Sequence, residues 1–292
     1  MKRSRLLLLG ATLAAGLITT SAIALPVAPA HAVANPEVES RQSANNTQSV
    51  KELSVPCDQG EFAYGGGGSI TGGGAGNVAL QAVVPVGNPP TAFRVRAAAL
   101  GAVTGAWNVT AWAICGTFTA GLQVVPDSDG PNTVRSKETD SRCPTGMQMY
   151  GTGFEISPSG NGTVLVHDII PGITLAPRSV TVRATARPNM TPNWSMDGFA
   201  ICANPAATKR IDQAQLVPGS NPSRSVSKAC ENGSTFAHGL GAQTFGSDTN
   251  LDGRLALSSM FPPSNRSGGA IAGENGTVNE NWQLQVYVIC SI

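Results

Sequence analysis

The chain has 292 residues, of which only 13% are charged, and its 19 Lys and Arg nearly balance its 18 Asp and Glu. Three of the basic residues lie in an N-terminal leader, which leaves 16 basic residues against the 18 acidic ones in the rest of the chain. Such a chain has no broad basic surface, so its composition argues against nucleic acid as a partner. The 34 Gly and 20 Pro are typical of extracellular β proteins, which are rich in turns.

The N-terminus has the pattern of a secretory signal peptide. A basic MKRSR precedes the apolar run LLLLGATLAAGLITTSAIAL and the A-x-A site that ends at Ala32. We expect cleavage after Ala32, which assigns residues 1–32 to the leader, and we expect residues 33–56 to form a polar linker. No later segment has the apolar length of a membrane span. The sequence therefore predicts a secreted, extracellular protein without a membrane span.

Three internal repeats follow, which we place at residues 57–142, 143–229 and 230–292. Each repeat begins at a Cys, continues with a pair of glycines and then a Gly nine residues before a Pro, and closes with a strand-like run. In that run a Trp stands eight residues before a second Cys, as in WNVTAWAIC, which ends at Cys115. The six cysteines are Cys57, Cys115, Cys143, Cys202, Cys230 and Cys290.

The repeats consist of short strands. In WNVTAWAIC the alternate residues from Trp107 to Cys115 are apolar or small, which indicates a half-buried strand with the Trp facing the core. The segments between the repeated Gly and Pro of each repeat also alternate, and we expect the Pro to end them. No segment has a convincing amphipathic helical pattern. The fold class is therefore predicted to be all-β, with three homologous antiparallel β repeats.

The six cysteines of an exported protein are expected to form disulfides. Two connectivities respect the threefold repetition. One closes each repeat and the other joins neighbouring repeats, as in Cys115–Cys143. We favour the first, which is Cys57–Cys115, Cys143–Cys202 and Cys230–Cys290, because both members then lie on strands of one unit.

Two arrangements of the repeats remain open at this point. They form three small sandwiches in tandem, or three sheets that close one pseudo-threefold prism. Each linker between repeats holds a strand-like segment (GLQVV and AQLV), and no such segment stands after Cys290 in the sequence. The segment QSVKELSV before Cys57 can fill that vacancy, which slightly favours closure. The oligomeric state is not predicted.

Candidate binding residues are few. Tyr64, Tyr150 and His238 occupy one position in the three repeats, just before the glycine pair, where they could bind a sugar or another polar ligand. Packing as strand residues at a sheet edge is the favoured alternative. The segment DTNLDG resembles the start of a calcium loop, with Asp248, Asn250 and Asp252 as ligands, but the twelfth position is Ser rather than Glu. A plain Asp/Asn turn is favoured there. We predict no other cofactor.

The sequence shows no catalytic motif. It contains no G-x-S-x-G, and only His167 and His238 remain after removal of the leader. The asymmetric pair His167 and Asp168 is the alternative that would make the protein a secreted hydrolase. We favour a protein that is not an enzyme and that binds a glycan or a cell-surface polymer, with a purely structural role as a further alternative.

The repeat pattern resembles one found in secreted proteins of actinobacteria. The resemblance is carried by CPTGMQMYGTG at Cys143 and by the strand ends AWAIC, FAIC and YVIC, and it covers nearly all of residues 57–292. Asp58 and Glu231 replace the expected Pro in the first and third repeats. Such proteins are mostly uncharacterised, so the resemblance implies a repeat type but little about function.

Overall fold

The structure, a computed structural model, describes residues 36–73, 76–103, 105–157, 162–173, 176–231, 236–246 and 253–291. These residues form 18 β-strands and no helix, which confirms the all-β class. The predicted leader and the candidate calcium ligands Asp248, Asn250 and Asp252 lie outside the described residues.

The strands fall into three units of six. Unit 1 comprises β1 (Glu37–Gln42), β2 (Val50–Pro56), β3 (Phe62–Gly72), β4 (Val78–Gly87), β5 (Pro90–Ala99) and β6 (Trp107–Gly116). Unit 2 comprises β7 (Gln123–Asn132), β8 (Ser136–Arg142), β9 (Gln148–Ser157), β10 (Val164–Pro171), β11 (Ser179–Ala186) and β12 (Trp194–Ala203). Unit 3 comprises β13 (Lys209–Gln215), β14 (Ser223–Ala229), β15 (Ala237–Gly246), β16 (Leu255–Ser264), β17 (Ser267–Glu274) and β18 (Trp282–Ser291).

Neighbouring units share their sheets. Sheet A has the order β1-β6-β3-β16-β17-β14, sheet B the order β2-β5-β4-β9-β12-β7, and sheet C the order β13-β18-β15-β10-β11-β8. Each sheet thus joins three strands of one unit to three of the next, at a seam that is β3/β16, β4/β9 or β10/β15. This pairing excludes three tandem sandwiches and is that of the pseudo-threefold arrangement.

The segment expected to be a linker at 33–56 contains β1 and β2 instead. β1 pairs with β6, and β2 pairs with β5, so both are integral strands of unit 1. They correspond to β7 and β8 of unit 2, which precede Cys143 and pair with strands that follow it. β1 is an edge strand with one unpaired side, and such strands are often polar, so its sequence lacks the apolar pattern of a central strand. The place that we expected QSVKELSV to fill is taken by β1, the counterpart of β7 and β13, whereas QSVKELSV forms β2, the counterpart of β8 and β14.

The disulfides follow the favoured connectivity. Cys57–Cys115, Cys143–Cys202 and Cys230–Cys290 each close one repeat. Within a unit the two three-strand groups pack face to face, and their shared core contains the three predicted inward tryptophans. Trp107, Trp194 and Trp282 are completely buried. We call the Trp side of β6, β12 and β18 the tryptophan end of the molecule and the opposite side the cysteine end.

The prolines do not end the strands in units 1 and 3, contrary to expectation. β4 continues through Pro85 to Gly87, and β16 continues beyond Pro262 to Ser264. The physical reason is that β4 pairs with β9 only at Ala82 and Val83, so Pro85 lies where one side of the strand requires no N–H donor.

The glycine pairs allow the three units to meet at a central axis. A Cβ at Gly65 would overlap the carbonyl oxygen of His238, one at Gly151 would overlap that of Tyr64, and one at Gly239 would overlap that of Tyr150. These contacts form a closed cycle around the three units. The repeated glycines are therefore explained by close backbone approach rather than by a ligand.

Candidate functional site

The three ring residues predicted as a binding set lie together at the central axis. The ring centroids of Tyr64 and Tyr150 are 5.4 Å apart, those of Tyr150 and His238 5.5 Å, and those of Tyr64 and His238 6.2 Å. All three side chains are at most 1% exposed. They form one internal ring cluster rather than three open pockets, so a sugar has no access to them in this structure.

The three rings differ in the hydrogen bonds that their polar atoms make. The Tyr64 hydroxyl donates to the carbonyl of Thr117 and lies 2.8 Å from Thr119 Oγ1, and the Tyr150 hydroxyl donates to the carbonyl of Asn204 at 3.2 Å. Burial raises the pKa of Tyr64 to about 12. Neither ring nitrogen of His238 has a hydrogen-bond partner among the described residues. Burial, and to a lesser degree the charge of Lys209, lowers the pKa of His238 well below its usual value.

Lys209 lies beside this cluster and is 1% exposed. Its Nζ is 4.1 Å from the centroid of the Tyr150 ring and donates to the carbonyl of Ala207 at 3.3 Å. Burial lowers the pKa of Lys209 to about 8. The register of β1, β7 and β13 shows that Pro36 and Leu122 occupy the equivalent places in the other units. The cluster therefore combines two basic groups, both specific to unit 3, in an apolar layer.

The described residues hold no convincing metal site. Asp212, Cys230 and Cys290 place potential ligand atoms close together, but the two cysteines are joined in a disulfide and cannot supply thiolates.

Sequence reasoning missed a repeated cation beside each buried tryptophan. Lys51 Nζ lies 4.9 Å from the Trp107 ring, Lys137 Nζ 5.2 Å from the Trp194 ring, and Arg224 Cζ 5.5 Å from the Trp282 ring. Each cation also donates to the carbonyl group of the residue seven positions before it, which is Ala44, Gly130 or Val217. A signal was present, because each of these residues stands six positions before the first Cys of its repeat. The repetition indicates a structural role.

The outward faces of sheets B and C are charged at their seams. In sheet B, Arg94 and Arg96 of unit 1 form ion pairs with Glu155 of unit 2, at 2.8 and 3.2 Å. In sheet C, Arg183 Nη1 lies 3.4 Å from Asp168 Oδ2, and its Nε lies 2.6 Å from Glu138 Oε2. Ion pairs thus cross the seam of sheet B, whereas those of sheet C lie within unit 2 and reach the seam strand β10 at Asp168.

The outward face of sheet A differs, because its described strands present no charged side chain there. At its seam the rings of Trp112 (unit 1) and Phe261 (unit 3) have centroids 5.6 Å apart and planes inclined by 32°. Both rings are half-buried and partly accessible from outside. The surrounding face carries hydroxyl and amide groups, including Ser40, Gln42, Ser69, Thr110, Ser225 and Ser227.

The asymmetric pair His167 and Asp168 does come together with a hydroxyl group. His167 Nε2 lies 3.1 Å from Thr185 Oγ1, and His167 Nδ1 lies 3.4 Å from Asp168 Oδ1. Thr185 Oγ1 is in turn 3.1 Å from the hydroxyl of Ser136. His167, Asp168 and Thr185 are all at most 6% exposed. The imidazole thus hydrogen-bonds a hydroxyl group, as a general base requires, but Asp168 Oδ1 makes no hydrogen bond to the described residues.

Two clefts open at the tryptophan end. The larger, of about 580 Å³, is lined by residues of units 2 and 3, most of them polar, among them Arg135, Asn189 and Arg254. The smaller, of about 400 Å³, lies where all three units meet and is lined by residues that include Leu100, Arg187 and Asn275. Both clefts include Pro188, so they adjoin.

Comparison with protein-family models and with curated proteins finds no match to this chain. The resemblance to secreted actinobacterial repeats therefore stays a prediction. Among the described residues no helix has the length and apolar character to cross a membrane. The three disulfides are compatible with an extracellular location, where thiols oxidise.

Proposed function

We propose that this is a secreted, non-enzymatic binding protein that holds an uncharged polysaccharide on the outward face of sheet A. The observation that carries the proposal is the Trp112–Phe261 ring pair within a face of hydroxyl and amide groups. Aromatic rings pack against the apolar faces of sugar rings, while Ser, Thr, Asn and Gln exchange hydrogen bonds with sugar hydroxyls. A face without charges also avoids the cost of desolvating ions on binding.

The pseudo-threefold symmetry supports the choice of this face over the other two. Phe199 and Tyr287 occupy the positions of Trp112 in sheets B and C. Phe199 lies on the face with the Arg94 and Glu155 ion pair, and the Tyr287 hydroxyl donates to Gln243 at 2.7 Å. Burial and the nearby Asp168 raise the pKa of Tyr287 to about 12. Only in sheet A does the ring neighbour a second aromatic ring across the seam, among the described residues.

The test is retention on insoluble neutral polysaccharides such as chitin and cellulose, supported by a glycan array. We expect Trp112→Ala to weaken binding roughly tenfold, which corresponds to loss of one stacked ring. Phe199→Ala is the matched control, because it removes the equivalent half-buried ring from sheet B. Failure of the wild-type protein to bind any neutral polysaccharide, or equal losses in the two variants, would contradict the proposal.

A second pair of variants tests whether binding requires an uncharged face, and it leaves both aromatic rings in place. Ser225 is exposed on sheet A, and its counterpart in sheet B is Glu52, so the fold accommodates a carboxylate at this position. We expect Ser225→Glu to reduce retention on a neutral polysaccharide. Ser54→Glu, on the exposed face of sheet B, should leave retention unchanged.

A hydrolase is the second candidate, favoured by the contact between His167 Nε2 and Thr185 Oγ1 at 3.1 Å. In this reading the His167 imidazole accepts a proton from the hydroxyl while Asp168 stabilises the resulting charge. The test is a panel of ester, peptide and glycoside substrates with Thr185→Ala, which should keep its fold because Ala98 is the equivalent residue of unit 1. An activity that Thr185→Ala and His167→Ala both abolish would support it. A wild-type protein inert on the whole panel would remove it.

A further inference from the structure

The adjoining clefts at the tryptophan end have volumes of about 580 and 400 Å³. They lie on the loops that connect strands rather than on a sheet face, so they are separate from the Trp112–Phe261 surface. Three guanidinium groups, of Arg135, Arg187 and Arg254, line them. This concentration is notable because the chain as a whole is almost neutral.

Each of these arginines departs from the pseudo-threefold pattern. Backbone hydrogen bonds at the tryptophan end recur in all three units and identify the equivalent residues. In one bond the N–H donors are Ala99, Ala186 and Glu274, and in the next they are Leu100, Arg187 and Asn275. The counterparts are Ser49 and Pro222 for Arg135, Asn77 and Thr163 for Arg254, and Leu100 and Asn275 for Arg187. The fold therefore does not require arginine at any of the three positions, yet the three side chains line adjoining clefts.

Arg187 is held in place by neutral groups. Its Nε donates to Asn275 Oδ1 at 2.7 Å, and its Nη1 donates to the carbonyls of Leu100 and Gly162. None of the described carboxylates forms an ion pair with it. Burial lowers the pKa of Arg187, which means that its cationic form is poorly solvated. An anion in the smaller cleft would supply the charge partner that the described carboxylates do not.

The larger cleft adds donors suited to oxygen atoms. Asn189 adopts a left-handed backbone conformation, with φ of 63°, in the loop between β11 and β12 that forms one wall. Asn can adopt this conformation more readily than most residues, and such backbone is concentrated at binding sites. Thr133, Thr191 and Asn279 line the same cleft. Glu280 lines it too and opposes the positive charge of the arginines.

We propose that these clefts bind an oxyanion, the carboxylate, sulfate or phosphate group of an anionic polymer. Guanidinium groups recognise such groups through paired N–H donors, and the fixed amides and hydroxyls satisfy the remaining oxygen lone pairs. The site lies between units 2 and 3 and extends to the smaller cleft, which residues of all three units line. It would act independently of the surface proposed for neutral sugars.

The experiment is a titration of the full secreted chain with inorganic sulfate, inorganic phosphate and a polyuronate, followed by calorimetry and NMR at low ionic strength. We expect Arg254→Gln and Arg135→Gln each to weaken binding at least about tenfold, the loss of one charge-assisted contact. Both side chains are exposed, so the substitutions should leave the fold intact. Glu280→Gln should act in the opposite direction and strengthen binding. The probe that binds best identifies the anionic group.

Arg142→Gln is the matched control, because this arginine lies at the cysteine end and 74% of its side chain is exposed. It lowers the net charge by the same amount and should leave anion binding unchanged. Equal weakening by Arg142→Gln and Arg254→Gln would show a non-specific charge effect and overturn the proposal, as would absence of binding to all three probes. Trp112→Ala should keep anion binding, which separates this proposal from the one for neutral polysaccharides.

Discussion

The Lys209 ammonium nitrogen lies 4.1 Å from the centroid of the Tyr150 ring, at a place where the other two units have Pro36 and Leu122. The contact is favourable, because a cation is attracted to the face of an aromatic ring. It does not restore the hydration that the ammonium loses on burial, and the only described hydrogen bond of the amine goes to Ala207. The burial of Lys209 in this otherwise apolar layer is therefore expected to lower the stability of the folded protein.

Replacement of Lys209 by Met should stabilise the protein. Burial lowers the Lys209 pKa from 10.5 to about 8, and this difference corresponds to a destabilisation of about 3 kcal/mol at neutral pH. The unfolded chain binds more protons between pH 8 and 10.5, so the wild-type protein should gain stability as the pH rises through that window. Lys209→Met should be more stable at pH 7 and should lack this gain, as measured by denaturant unfolding.

Lys228→Met is the control for that substitution. Lys228 is partly exposed and pairs with Glu231 at the surface, so its removal should change the free energy of unfolding by less than about 1 kcal/mol. A Lys209→Met protein as stable as wild type, or less so, at pH 7 would show that the ring contact fully offsets the burial of the charge.

Acidification should destabilise the wild-type protein through His238. In the unfolded chain a histidine takes up a proton near its ordinary pKa of 6.5, whereas folding lowers the His238 pKa well below that value. The unfolded state therefore binds the extra proton as the pH falls below 6.5, and stability falls with it by at most about 1.4 kcal/mol per pH unit. Tyr64, Tyr150 and Lys209 are the titratable groups around the ring.

His238→Phe isolates this effect, because it keeps a ring of similar shape and removes the group that titrates. Unfolding midpoints of both proteins at pH 7.5, 6 and 5 should diverge, with wild type losing more stability on acidification. Carboxylates elsewhere act equally on the two proteins and cancel in the difference. Parallel losses over this range would mean that His238 does not titrate differently in the folded and unfolded states.

The cations beside the tryptophans should be required for stability, and Lys137 offers the clearest case. Its Nζ donates to Asp129, to the carbonyl of Gly130 and to Asn132, all within 2.9 Å. Lys137→Met removes these bonds and should cost about 2 kcal/mol in the free energy of unfolding. Adding Asp129→Asn should recover part of that loss, because a carboxylate is no longer left without its partner. If Lys137→Met unfolds with the same free energy as wild type, the cation does not act through stability.

Internal repetition explains how much of the architecture was predictable. Cysteine spacing indicated the three disulfides, and alternation in WNVTAWAIC placed Trp107 in the core, because both patterns record constraints shared by all three units. The function of Tyr64 could not be read in this way, since a ring at the axis and a ring in a pocket have the same sequence pattern. The aromatic pair on the outward face of sheet A could not be predicted from the sequence either. The neutral face of this sheet brings Trp112 and Phe261 together across a seam between units 1 and 3, which are far apart in sequence.

The closure of the central axis should depend on glycine at one position in each unit. A Cβ at Gly151 would overlap the carbonyl oxygen of Tyr64 in the neighbouring unit, and that oxygen belongs to a backbone that is itself packed at the axis. Gly151→Ala must therefore separate β9 from β3, and we expect a loss of about 3 kcal/mol in the free energy of unfolding. Gly105→Ala is the control, because a Cβ there meets no atom within 4 Å, and it should be neutral or slightly stabilising. Equal stabilities of the two variants would mean that the units can move apart at the axis without loss, and that the cycle of close contacts does not hold the three units together.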